Sequence, residues 1–78
     1  MKYDKKIKKI IQELKSHDIQ FNKLSYHRLK DKSYEALESG DEKLSHKIDI
    51  AADLKEILSD DVYDEDIVET LTELYLAV

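Results

Sequence analysis

The chain has 78 residues, 41% hydrophobic and 40% charged, with a net charge of −5, one Gly, no Pro and no Cys. That size means one domain with a small apolar core, which disfavours a large buried active-site cleft, and the lack of cysteine removes disulfide scaffolds and thiolate metal sites. Lys5, Lys6, Lys8 and Lys9 break up the first apolar residues, so no signal-type or membrane-spanning run is expected and a cytoplasmic protein is the default.

The first helix is predicted over residues 3–17. Tyr3, Ile7, Ile10, Ile11 and Leu14 recur at helical spacing and make one apolar seam, with Lys2, Lys5, Lys6, Lys8, Lys9 and Lys15 outside it. The period is lost over residues 16–22, where Ser16, Asp18 and Asn22 favour turns and caps. A second helix starts at Asn22 or Ser25, with Tyr26, Leu29, Ala36 and Leu37 as its apolar set. With Ser25 as N-cap, Leu24 and Leu29 take the two positions of a hydrophobic staple. Gly40 stops this helix, because a left-handed residue after a helix end suits glycine best.

Ser39 and Glu42 spell a capping box, with Asp41 as a competing cap, for a third helix over residues 41–58. Its apolar residues, Leu44, Ile48, Ile50, Ala51, Leu54, Ile57 and Leu58, spread over roughly half of the circumference. An arc that broad is expected of the central element of the core. Residues 59–64 form a turn, and Asp64 caps a last helix whose first turn holds Glu65 and Asp66, with Tyr63 and Val68 as staple. Ile67, Val68, Leu71, Leu74, Tyr75 and Val78 make its apolar face, and Leu76 projects from the opposite side. The expected fold is all-α, a small antiparallel bundle of four helices in a single domain spanning residues 1–78. Helices one and two could instead splay from a tighter hairpin of helices three and four.

No motif carries catalysis. His17, His27 and His46 lack metal-ligand spacing. In an EF-hand frame starting at Asp60, positions three, six and twelve fall on Val62, Glu65 and Leu71, so that template fails. No nucleophile motif or phosphate-cradling glycine loop is present, and a non-enzymatic protein without cofactor or metal is expected.

Charge is the strongest functional signal. Residues 1–32 hold ten Lys/Arg against four Asp/Glu, and residues 33–78 hold three against fourteen. The acidic half is expected to steer a basic protein partner, as small acidic inhibitors, immunity proteins, antitoxins or regulatory adaptors do. The contact residues expected are Asp60, Asp61, Glu65, Asp66 and Glu69, with Tyr63, Tyr75 and Leu76 as apolar anchors. Homodimerisation is a further expectation, because a chain this small gains core by pairing. The competing reading is a nucleic-acid-associated regulator. Residues 18–29 resemble the turn and second helix of a helix-turn-helix, with Ile19 and Leu24 as buried anchors and Lys23, Arg28, Lys30 and Lys32 as backbone contacts. That resemblance departs from the motif at Asp18, where a tight-turn glycine is usual, and at the long gap back to Leu14.

Overall fold

Helices start where a side chain can cap them and stop where the backbone can turn left-handed, and both devices are visible here. The computed structural model describes residues 3–78, so Lys2 lies outside the described residues. These residues form α1 (Asp4–Ser16), α2 (Tyr26–Glu38), α3 (Glu42–Leu58) and α4 (Glu65–Ala77), with no strand among them. Ser25 accepts the Arg28 backbone N–H at 3.2 Å, Asp41 that of Leu44 at 3.1 Å and Asp64 that of Asp66 at 2.9 Å. Each cap satisfies a donor that the first turn cannot pair internally. The expected Ser39–Glu42 capping box is replaced by Asp41 alone. Ser39 has helical backbone angles as the C-cap of α2, and its hydroxyl donates to the Ala36 carbonyl at 2.9 Å.

α1 and α2 end on the same motif with different residues. Asp18 and Gly40 both have positive φ, 61° and 90°. The N–H of Asp18 bonds the Lys15 carbonyl and that of Ile19 bonds the Leu14 carbonyl, each at 2.9 Å. Gly40 bonds Leu37 at 3.0 Å, and Asp41 bonds Ala36 at 2.9 Å, in the same pattern. These are two Schellman ends, one built on aspartate, a residue that tolerates the left-handed region better than most.

α3 lies at the centre, packed most extensively on α2 and next on α4, while α1 packs chiefly on α4 and reaches α3 through the Glu13–Lys47 pair. The extents are 35 × 23 × 17 Å. The tightest hairpin is therefore α2–α3, and α2 does not splay away. Small residues explain this: Ser33 of α2 and Ser45 of α3 are both buried, and the Ser33 hydroxyl lies 2.9 Å from the Ser45 carbonyl and 3.0 Å from its Oγ. A hydroxyl on one helix reaches the backbone of the other only when the two approach closely.

The core is built on α3, where Ser45, Ile48, Ile50, Ala51, Ala52 and Leu54 are buried. Ile10 and Leu14 of α1, Leu29 and Ala36 of α2, and Val68 and Tyr75 of α4 close around them. All four residues of the expected staples are drawn inward: Leu29 and Val68 are fully buried, and Leu24 and Tyr63 pack against the core. Three expected core residues, Leu37, Ile67 and Leu74, are instead half-exposed. Phe21, in the connection between α1 and α2, is buried with Ile19. The Lys55 ammonium fixes that connection from α3, donating to the Phe21 carbonyl at 2.5 Å and lying 5.0 Å from the ring centroid.

Candidate protein-binding surface

The acidic turn between α3 and α4 is fastened at its middle and open around it. Tyr63 anchors it, its hydroxyl 2.9 Å from that of Tyr3 at the start of α1. That hydrogen bond, followed by burial, raises the Tyr3 pKa well above the ordinary phenol value. Asp64 is occupied as the cap of α4. Around these fixed points Asp60, Asp61, Glu65 and Asp66 are exposed, and Val62 stands 89% exposed among them. Among the described residues, none of Asp60, Asp61, Glu65 and Asp66 has a Lys or Arg within ion-pair distance. The segment thus carries exposed carboxylates without a described ion-pair partner on either side, in sequence, of one exposed apolar residue.

The other expected contact residues divide. Tyr63 and Glu69 are half-buried, and Leu76 is 41% exposed. Tyr75 is no surface anchor: it is fully buried, and its hydroxyl donates to Glu13 Oε1 at 3.1 Å. Lys47 completes this network, 2.7 Å from the same oxygen and 5.2 Å from the Tyr75 ring centroid. Burial first, then the Glu13 charge and hydrogen bond, push the Tyr75 pKa upward. The hydrogen bond from Lys47 is the main cause holding the Glu13 carboxyl below its ordinary range. Tyrosine at an inward helical position is amphipathic. The sequence supplied its apolar periodicity but not the carboxylate that takes its hydroxyl inside the fold.

The basic side is partly consumed by the acidic side. Lys30 lies 3.4 Å from Asp49 and 3.5 Å from Asp53, with the Tyr26 ring centroid at 5.4 Å. Burial alone would lower the Lys30 pKa, but the two carboxylates outweigh it and raise it. Lys32 pairs with Glu35 at 3.5 Å, and Lys6 with Glu73 at 3.3 Å. Of the four residues expected to contact a phosphate backbone, only Lys23 and Arg28 are exposed without an intrachain ion pair among the described residues. The α1–α2 connection spans residues 17–25, longer than the three- or four-residue turn of a helix-turn-helix. Charge sorted along the sequence is thus brought back together across the α2–α3 and α1–α4 contacts.

The described residues contain no group of three His, Cys, Asp or Glu side chains placed to hold a metal ion. No described helix is long and apolar enough to cross a membrane. Comparison with protein-family models, curated proteins and solved structures finds no match.

The apolar surface that sequence reasoning missed lies on α4, where Ile67 and Leu74 are 46% and 50% exposed. The signal was present in the sequence. Ile67 and Leu74 lie at one edge of the apolar arc of α4, and α3 and α1 cover the side that holds Val68 and Tyr75.

Proposed function

We propose that this chain is a non-enzymatic, cytoplasmic protein that works by binding a basic protein partner through its acidic C-terminal side. The observation that carries the reading is the uncompensated turn: Asp60, Asp61, Glu65 and Asp66 are exposed, unpaired with any described Lys or Arg, and flank the exposed Val62 in sequence. Uncompensated surface charge accelerates encounter with an opposite charge, and a central apolar contact slows departure. Lys30 and Lys32 already face carboxylates of the same chain, which weakens the nucleic-acid alternative relative to this one.

The test is a comparison of two variants against a partner recovered by affinity capture and identified by mass spectrometry. Neutralising Asp60, Asp61, Glu65 and Asp66 together reduces the association rate and flattens its salt dependence, because exposed charges are screened beyond about 8–10 Å at physiological ionic strength. Neutralising Lys5, Lys8, Lys9 and Lys15 leaves both unchanged. The opposite result, with loss only in the lysine variant, transfers the function to α1 and α2 and promotes the nucleic-acid reading.

A further inference from the structure

We propose that the outer face of α4 is the seat for a basic amphipathic helix of the partner protein. This rests on the protein-binding reading above and adds the place and the chemistry of the partner segment. α4 buries one stripe, Val68, Thr72 and Tyr75. A second stripe, about a quarter turn away on the helical wheel, runs through Ile67, Leu71, Leu74 and Val78. Ile67 and Leu74 are 46% and 50% exposed, and the other two are half-buried. Beside it Thr70 and Ala77 are exposed and uncharged. In a chain with 40% charged residues, a continuous uncharged face on the solvent side of a core helix is the kind of patch that marks an interaction site.

Charge selects the occupant. Asp66 and Glu73 border the stripe on the wheel, and Glu73 is already paired with Lys6 of α1 at 3.3 Å. The free negative charge therefore lies at Asp66 and in the acidic turn at the N-terminal end, and no Lys or Arg occurs between residues 59 and 78. A second copy laid on the same face through its own α4 would set carboxylate against carboxylate. A helix with apolar residues at i, i+3, i+4 and i+7 and lysine or arginine on its flanks matches both the stripe and its border.

A synthetic helix tests this directly. The probe is a fluorescent peptide of about 18 residues with leucine at those positions and lysine elsewhere, and the controls are its scrambled sequence and a version with glutamate for lysine. Anisotropy titration against the full chain is expected to detect the leucine–lysine peptide and neither control. The variant Ile67→Ser/Leu74→Ser binds it at least about tenfold more weakly, with an unchanged circular dichroism melt. Should that variant melt lower, Leu74→Gln alone serves the same comparison. If the serine variant binds as tightly as the parent while the variant neutralised at Asp60, Asp61, Glu65 and Asp66 does not, the α4 seat is wrong and acidic steering stands. If both bind as the parent does, both readings fail. Sedimentation supplies the remaining outcome: a parent dimer that the serine variant dissociates assigns the face to a second copy and overturns the proposal.

Discussion

The hydroxyl of Tyr75 and the carboxylate of Glu13 meet at 3.1 Å between the last helix and the first, with Lys47 of the central helix on the same oxygen at 2.7 Å. Three helices therefore share one acceptor. Tyr75→Phe keeps the ring and deletes the donor, and should cost about 1 kcal/mol in urea unfolding. Tyr75→Ala also empties a fully buried site and should cost about 3–5 kcal/mol.

The same network gives stability a pH signature at both ends. Glu13 has a folded pKa below its unfolded value, so its contribution is complete above the unfolded pKa and is lost as pH falls through the folded one. Tyr75 has a folded pKa above the ordinary phenol value of 10.0, so its contribution is complete below pH 10.0 and declines as pH rises beyond it. Thermal melts across pH should show an acid limb below about pH 4.5 that Glu13→Gln flattens. They should show an alkaline limb above about pH 10 that Tyr75→Phe reduces but does not abolish, because Tyr3 is raised in the same direction.

The two left-handed helix ends should respond oppositely to substitution. Asp18, at φ 61°, carries a side chain where glycine is better suited, so Asp18→Gly should stabilise by up to about 1 kcal/mol. Gly40, at φ 90°, has open space around an added Cβ, so Gly40→Ala should destabilise by about 1 kcal/mol through backbone strain alone. A larger loss at Gly40 would mean that contacts, and not φ, set its preference.

Ser33 and Ser45 form a closed pair in the α2–α3 interface. Ser33→Ala should cost about 1–2 kcal/mol, part of it from the Ser45 hydroxyl left buried beside a methyl group. The double Ala variant should recover some of that loss, and a double-mutant cycle measures the coupling. Strict additivity would show that the two hydroxyls act independently.

Burial separates two leucines of α3. Leu54 is fully buried and Leu44 only partly so, so Leu54→Ala should cost about 2–5 kcal/mol and Leu44→Ala clearly less. Equal losses in chemical denaturation would contradict the packing described.

Local chemistry was legible in the sequence. Ser25 and Asp64 as caps, Gly40 as a stop, and α3 as the broadest apolar element all follow from side chains within a few residues of each other, and such interactions do not depend on the rest of the fold. The exposed carboxylates at 60, 61, 65 and 66 were legible for the same reason, since a polar turn between two helices stays at the surface. Tertiary structure decided what required a neighbour distant in the chain. The hydroxyl of Tyr75 found its acceptor in Glu13, and the charge of Lys30 was compensated because the α2–α3 contact brought Asp49 and Asp53 to it. Leu74 and Ile67 stayed half-exposed because four short helices cannot cover every side of α4. Periodicity names the apolar residues of a helix. Which of them are buried depends on how many neighbours surround it, a property of the assembled chain and not of any one segment.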